Sequence, residues 1–357
     1  MSRFLGFSTG SDGVINLSSY TILKSVCSGT SGSNSLTATN ASFTAGQRIF
    51  ICQMSGTGVG TNFEDNYIVS YTTGTITTLY PLEFTYTNSG ASKAQVVVVP
   101  QASDYTGSLT LPAWNGTDGG LGCFASISPF NATILATATG FRGGSGSKRS
   151  NGSIATQGES YSGTGLASNS ANNGGGGGAG ELNISSGNGG PGGYGTQGTK
   201  DTGGGLKAGN AGTTYGQANL SVIHMGSGGG GGFDNNNVAT GGNGGPGGGI
   251  LRCYFSQVGA SAVLRSNGGQ GVQSSYNGGS GSGGSLSIYA ESIHASATLS
   301  ATGGAQVAAT PGNLGIGPAG GDGRIHLNVC SWSGTSSPTA NTTLGGHDFC
   351  SSGVLLY

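Results

Sequence analysis

The residues of this chain that could carry out hydrolytic chemistry are its carboxylates, and they are few. The sequence has 13 Asp and Glu residues among 357. Five of them lie in the glycine-rich part of the chain, namely Glu159, Glu181, Asp201, Asp234 and Glu291. Cleavage of a glycosidic bond needs two carboxyl groups about 5–10 Å apart. Sequence spacing pairs none of these five, which favours solvated or loop-bracing carboxylates and leaves hydrolysis as an alternative.

Two glycine patterns match a nucleotide-binding fingerprint. The segment Gly187-Asn-Gly-Gly-Pro-Gly satisfies G-x-G-x-x-G, and the same residues recur from Gly242. The fingerprint is informative only where its glycines follow a strand and open a helix. Neither copy does so, and a segment this rich in glycine matches by chance. We therefore expect no nucleotide site.

Metal and thiol chemistry are not indicated either. The four histidines, at positions 224, 294, 326 and 347, are scattered, and the six cysteines, at positions 27, 52, 123, 253, 330 and 350, include no C-x-x-C pair. The start of the chain, Met1 to Gly10, lacks the apolar core of a signal peptide, which indicates synthesis in a cytoplasm. Cytoplasmic proteins start reduced, so the sequence favours buried thiols over disulfides. We predict no catalytic residue, no metal and no cofactor.

Composition excludes several classes of partner. Only 7% of residues are charged and the net charge is −1, so the chain has no basic surface for nucleic acid or an anionic membrane. No apolar run of about 18 residues occurs, which argues against membrane insertion through a helix. A hydrophobic content of 34% can still supply a core. The surface must then consist mainly of Ser, Thr, Asn and Gly.

The stretch from Gly143 to Gly323 must position the functional residues of the chain, since it holds 56 of the 77 glycines. Ordered glycine at this density needs a geometry that many segments share. Polyproline-II helices have three residues per turn and no internal hydrogen bonds, so glycine-rich ones can pack side by side and bond laterally. A heptapeptide that starts at Gly187 recurs at Gly242, which indicates an internal repeat rather than a disordered linker. Glycine is too irregular here for collagen.

The remaining sequence predicts strands throughout. Short β runs with turn signals, at 43–51, 67–71, 75–80 and 95–99, predict a small barrel or sandwich. Later units of two strands start at Gly249, Gly284 and Gly323, which predicts a stacked β scaffold with glycine-rich excursions between its units. The predicted fold is all β, with a small β domain over 1–105, a glycine-rich repeat region over 106–330 and a closing segment over 331–357. The first domain would serve attachment or assembly.

Several motifs resemble the glycine-rich tail-fibre and receptor-binding proteins of tailed bacteriophages. These motifs are Gly10-Ser-Asp-Gly, Ala45-Gly-Gln-Arg-Ile, Pro112-Ala-Trp-Asn-Gly, Gly140-Phe-Arg-Gly-Gly and the Asn/Gly/Pro runs. The resemblance covers most of the chain at the level of motifs. It implies a non-enzymatic virion protein of the phage tail that binds a host surface receptor, either a glycan or an outer-membrane protein, and contacts other tail or fibre proteins. A homo-oligomer, a glycan-cleaving tailspike and a non-phage surface filament protein stay open as alternatives.

In the adhesins of that family, the loops between polyglycine helices carry recognition and are rich in aromatic residues. By this resemblance, the predicted receptor-binding residues are Tyr194, Tyr215, Phe233, Asp234 and Tyr276. A ring on a stiff scaffold offers a large contact face and has little rotamer entropy to lose. The competing interpretation is that such rings cap the ends of the glycine bundle, and it applies above all to Tyr194.

Overall fold

The computed structural model describes residues 6–40, 42–200, 207–309, 315–345 and 350. Within these residues the fold is all β, as predicted, and helical conformation is confined to a short 3-10 turn, Arg149–Asn151, and to Cys350. Twenty-one strands lie in the described residues: β1 (Val14–Asn16), β2 (Lys24–Gly29), β3 (Ser35–Ala38), β4 (Arg48–Ser55), β5 (Phe63–Thr72), β6 (Thr75–Thr78), β7 (Lys93–Val98), β8 (Gln101–Ala102), β9 (Asp104–Thr106), β10 (Ser108–Thr110), β11 (Leu121–Ser126), β12 (Thr133–Leu135), β13 (Ser147–Lys148), β14 (Phe233–Asp234), β15 (Ile250–Val258), β16 (Val263–Arg265), β17 (Ser285–Ile293), β18 (Thr298–Ser300), β19 (Arg324–Trp332), β20 (Ser336–Ser337) and β21 (Asn341–Leu344).

Strands β2 to β7 close a six-stranded antiparallel barrel in the order β2-β3-β6-β5-β4-β7. Alternation along β4 shows why the barrel is attached to the rest of the protein. Ile49 and Ile51 lie in the barrel core, whereas Phe50 and Cys52 belong to the larger apolar cluster outside it. Every residue of β4 is therefore buried. Strand β1 lies before the barrel and pairs with β9, so the first 105 residues contribute to both parts of the fold.

The stacked scaffold consists of two parallel sheets. The first has the order β21-β19-β17-β15-β11-β8 and the second the order β10-β12-β16-β18-β20, so successive units add one strand to each. The units predicted to start at Gly249, Gly284 and Gly323 begin one residue later, as β15, β17 and β19. Aligned apolar residues fill the space between the sheets, and Cys253 is paired in register with Ile288, which is paired with Leu327.

The glycine-rich excursions leave the scaffold after β12, β16 and β18 and return at β15, β17 and β19. They form the predicted bundle of polyproline-II-type helices, which bond to one another through their backbones. Run 228–232 lies at the centre, and its five amides donate to three neighbouring runs in turn. The donor and acceptor pairs are Gly228 to Glu159, Gly229 to Gly245, Gly230 to Gly190, Gly231 to Thr156 and Gly232 to Gly242. Amides three residues apart donate to the same neighbouring run, as a helix with three residues per turn requires.

The carbonyl groups of run 228–232 follow the same period toward three further runs. They accept from Gly176, Gly144, Gly279, Ala179 and Ser147, in the order of residues 228 to 232. Six runs thus surround the central one and leave no room for a Cβ. A methyl group on Gly230 would overlap the carbonyl oxygen of Gly177. Glycine is required here because the backbones of neighbouring helices occupy the space of a side chain.

A buried ionic cluster joins the barrel to the first parallel sheet. Asp65 of β5 accepts 3.1 and 3.0 Å hydrogen bonds from Nε and Nη2 of Arg48 on β4, and both side chains are wholly buried. The second carboxylate oxygen of Asp65 accepts from the hydroxyl of Tyr254 on β15. Arg252 of β15 lies 4.0 Å from the same oxygen. One carboxylate therefore serves two arginines and connects two parts of the fold.

The cysteines divide into two groups. Cys27, Cys52, Cys123 and Cys253 are free and buried, as predicted. The preference for thiols was wrong for the remaining pair, because Cys330 of β19 is disulfide-bonded to Cys350. No C-x-x-C spacing marks this pair, which lies 20 residues apart in sequence and was brought together by the fold. The terminal segment 353–357, whose apolar residues predict a strand, lies outside the described residues.

Candidate functional site

Several loops meet at the end of the glycine bundle that is remote from the two parallel sheets. Their described residues are 148–154, 181–186, 234–240, 272–276 and, from the last excursion, 308–309 with 315–316; we call them the distal loops. Hydrogen bonds connect each loop to another. The donor and acceptor atoms are Ser150 N and Asn237 Oδ1 (2.8 Å), Asn235 N and Ser186 Oγ (2.9 Å), Ser274 Oγ and Thr240 O (2.6 Å), and Gln273 Nε2 and Ala308 O (3.0 Å). The distal loops thus form one continuous surface.

This surface exposes aliphatic side chains from four different loops. Ile184, Val238, Val272 and Ile316 are 67%, 80%, 52% and 51% exposed. No strand requires these residues, since each stands in a short connection between glycine runs. Sequence reasoning missed all four because it weighed only aromatic residues in the loops. The available signal was the presence of large aliphatic residues within otherwise polar connections between two glycine runs.

Two of the predicted recognition residues, Phe233 and Asp234, lie at the start of the distal loop 234–240 but are buried. Phe233 is packed in a small cluster with Ala155 and Ala179, where it closes the end of the bundle. Asp234 is 1% exposed, and its carboxylate accepts hydrogen bonds from the amides of Asn236 and Ala239 at 2.7 and 2.9 Å. The two side chains hold the loop 234–240 in place and offer no surface to a partner.

Tyr194 and Tyr215 lie at the opposite end of the bundle, next to the first parallel sheet. Tyr194 is wholly buried, and its hydroxyl is 2.7 Å from Oγ of Ser285 on β17. The ring of Tyr215 packs between those of Tyr194 and Tyr161, with ring centres 4.7 Å apart in both pairs. Burial raises the pKa of Tyr194 and Tyr215, so both hydroxyls stay neutral. The interpretation that Tyr194 caps the bundle agrees with this position.

His224 completes the tyrosine cluster. Its ring centre lies 5.2 Å from that of Tyr215, and its side chain is 6% exposed. Burial, with a smaller contribution from the Arg324 guanidinium, lowers the pKa of His224 to about 4. Nδ1 of His224 has no hydrogen-bond partner among the described residues. A neutral imidazole thus lies between the bundle and the barrel loop around Gly60, whose carbonyl accepts from the amide of Ile223 at 2.8 Å.

The predicted recognition residues are therefore not brought together at one site. The burial of Tyr194, Phe233 and Asp234 is at odds with direct receptor contact, because a recognition side chain must be accessible. Tyr215 is partly exposed but held within the tyrosine cluster. Only Tyr276 is both partly exposed and part of the distal loops, and its role in binding stays a prediction.

Three of the five carboxylates that could serve hydrolysis have separate structural partners, while Glu291 lies partly exposed on β17. Glu159 forms an ion pair with Arg142 at 3.0 Å, and Glu181 forms one with Lys207 at 3.1 Å. Asp234 is bound by backbone amides, as described above, and Asp201 lies outside the described residues. Within the described part of the chain, no group of three or more His, Cys, Asp or Glu side chains could hold a metal ion.

Comparison with known proteins adds no relative. No protein-family model, no curated protein sequence and no solved structure matches the chain. The described residues also contain no helix that is long and apolar enough to cross a membrane.

Proposed function

We propose that the protein is a phage tail-fibre or receptor-binding, adhesin-like structural protein whose distal loops contact a receptor on the host cell surface. The observation that carries the proposal is the set of exposed aliphatic residues from four loops that hydrogen bonds hold together on one surface. A scattered exposed apolar residue needs no explanation, whereas a group rimmed by polar residues is typical of an interaction surface. The motifs that resemble tail-fibre proteins support the same assignment.

The bundle beneath the loops suits this role because it is stiff. The central run bonds to six neighbours, so each loop starts and ends on a fixed backbone. Binding then orders few additional groups, and the entropic cost of association is lower. Exchange of a loop sequence would leave the bundle unchanged, since its stability depends on backbone contacts.

The barrel contacts the proximal end of the bundle, through Gly60 and Ile223. We propose that the barrel side attaches to other tail or fibre proteins, so that the distal loops face the host. The protein would then reside in the virion and act without catalysis, nucleic acid or membrane insertion. Its receptor would be a glycan or an outer-membrane protein, and the aliphatic residues favour a partner with an apolar surface of its own.

The test uses a double variant, Ile184→Asp with Val238→Asp. Fluorescently labelled protein is mixed with a panel of bacterial strains, and cell-bound fluorescence gives the affinity. We expect binding of the native protein to at least one strain and a loss of at least about tenfold, or 1.4 kcal/mol, for the double variant. The free energy of unfolding of the double variant, measured by thermal melting, should stay within about 0.5 kcal/mol of the native value, because both side chains are exposed.

The matched control is Val14→Asp, since Val14 is 65% exposed but lies on β1, outside the distal loops. This variant should bind like the native protein. Native protein that binds no strain, or a double variant that binds normally, would contradict the proposal.

A further inference from the structure

A groove crosses the outer face of the second parallel sheet, well away from the distal loops. Strands β16, β18 and β20 form its floor, and the turn Ala295–Ala297 lies at its side. Its volume is about 520 Å³. Small-molecule sites typically have volumes of roughly 300–1,000 Å³. The volume of the groove falls within this range, and the groove is open to solvent along one side.

Two hydrogen-bond donors face the groove without partners of their own. Arg265, the last residue of β16, is exposed, and its guanidinium has no hydrogen bond or ion pair with any described residue. Asn267 uses its Oδ1 atom to accept from Ser300 Oγ at 2.7 Å and from the amide of Thr302 at 3.0 Å. The backbone donor fixes the orientation of the amide group. Nδ2 of Asn267 remains as a second donor, without a partner among the described residues.

The strand register places hydroxyl groups beside these donors. Arg265 is paired in register with Ser300, and Ser300 with Ser337. Neighbouring strands are about 4.8 Å apart, so the row covers about 10 Å. Thr298 and Thr335 add two further hydroxyl groups to the lining. The row of hydroxyls can form hydrogen bonds with the polar groups of a ligand, while the neighbouring cation binds a charged group of the same ligand.

The described residues that line the groove include no carboxylate. The Arg265 guanidinium therefore has no counter-charge within the groove. It is one of only 12 Lys and Arg residues in the chain. Arginine forms strong, paired hydrogen bonds with carboxylate and phosphate groups. An anionic group on the ligand would gain this pairing, which a neutral ligand would not, and a nucleic acid would require many more cations than one.

We propose that this groove binds a saccharide that carries one anionic group, a carboxylate or a phosphate. The anionic group would accept from the Arg265 guanidinium and from Nδ2 of Asn267, while the sugar hydroxyls would exchange hydrogen bonds with Thr298, Thr335 and Ser337. This site is independent of the distal loops, so it would act as a second contact to a surface glycan along the side of the protein. Its failure and the failure of the receptor proposal are separable.

The test follows the Nε–H signal of Arg265 by nuclear magnetic resonance in arginine-labelled protein. The signal is assigned by its absence from the Arg265→Gln variant. Three probes are titrated at about 0.15 M salt, where charges more than about 8 Å apart are largely screened. They are trigalacturonate for the carboxylate, glucose 6-phosphate for the phosphate and maltotriose as the neutral control. We expect saturable shifts with at least one anionic probe, with a Kd of about 1 mM or below, and none with maltotriose.

The Asn267 side-chain amide signal, followed in uniformly labelled protein, provides the second readout, because it remains visible in Arg265→Gln. In that variant we expect at least tenfold weaker binding of the same probe. Lys200→Gln removes an exposed cation that lies outside both the groove and the distal loops, and it should bind like the native protein. Absence of saturable binding by both anionic probes, equal binding of maltotriose, or unchanged affinity of Arg265→Gln would overturn the proposal.

Discussion

The amide of Gly230 donates a 2.8 Å hydrogen bond to the carbonyl oxygen of Gly190, although the two residues belong to separate runs of the excursion between β12 and β15. The contact brings two backbones together with no side chain between them. Each of the six runs around 228–232 makes at least one contact of this kind. The stability of the bundle should therefore depend on the absence of side chains more than on any apolar core.

The first prediction concerns Gly230→Ala. The added methyl group overlaps the carbonyl oxygen of Gly177, which is backbone and can move only if the neighbouring run moves. We expect a loss of at least about 3 kcal/mol in the free energy of unfolding, at the upper end for overpacked sites, as measured by urea titration. Gly152→Ala is the control. Its φ of 69° is unfavourable for alanine, but nothing lies within 4 Å, so about 1–2 kcal/mol should be lost. An equal or smaller loss for Gly230→Ala would show that the bundle is loosely packed.

The second prediction concerns the junction of barrel and scaffold. Asp65→Asn preserves the shape of the side chain but leaves Arg48 and Arg252 buried without a counter-charge. Removal of one partner from a buried ion pair typically costs about 3–5 kcal/mol. We expect the free energy of unfolding, measured by thermal denaturation, to decrease by about that amount. Lys24→Met breaks a more accessible ion pair with Asp118 and should cost less than about 1 kcal/mol. A similar loss in both variants would contradict a special role for Asp65.

Much of this fold could be predicted from the sequence, because glycine patterns report on backbone geometry directly. The units that start at Gly249, Gly284 and Gly323 were correct, since each of these glycines ends a bundle run and an apolar strand begins at the next residue. The short strands β2 and β3 were missed. Their residues include Ser, Thr and Gly, and burial alternates only over a few positions, so the pattern resembles that of the loops.

The site was harder to predict, because burial depends on contacts between distant segments. Tyr194 follows a glycine run, as a loop residue would, yet Ser285 lies 91 residues further on and its hydroxyl is 2.7 Å from that of Tyr194. Phe233 follows the five-glycine run and is enclosed by Ala155 and Ala179. Nothing local distinguishes these rings from the exposed Val238. The disulfide between Cys330 and Cys350 has the same origin, since the fold and not the spacing brings the two sulfur atoms together.

The third prediction concerns the four free cysteines. Cys27, Cys52, Cys123 and Cys253 are at most 2% exposed, and burial raises the pKa of each thiol, to about 12 for Cys52. Only the thiolate reacts rapidly with an alkylating agent. We expect iodoacetamide at pH 8 to modify none of the four in the native protein and all four after denaturation, as counted by mass spectrometry. Modification of any of them before denaturation would place that thiol at the surface.

The last prediction concerns pH and His224. The folded pKa of about 4 lies below the ordinary value of 6.5, because burial disfavours the imidazolium. A proton then binds more tightly to the unfolded chain than to the folded one, so stability is complete above pH 6.5 and falls as the pH decreases toward 4. With 1.36 kcal/mol for each pH unit between the two pKa values, the loss reaches about 3 kcal/mol.

His224→Phe keeps a ring beside Tyr215 and loses no hydrogen bond at Nδ1, which has no partner among the described residues. Urea titrations at pH 7 and pH 4.5 should therefore show a smaller decrease for this variant than for the native protein, by about 2–3 kcal/mol. Equal decreases would mean that His224 is hydrated or paired in solution and that other groups cause the acid sensitivity.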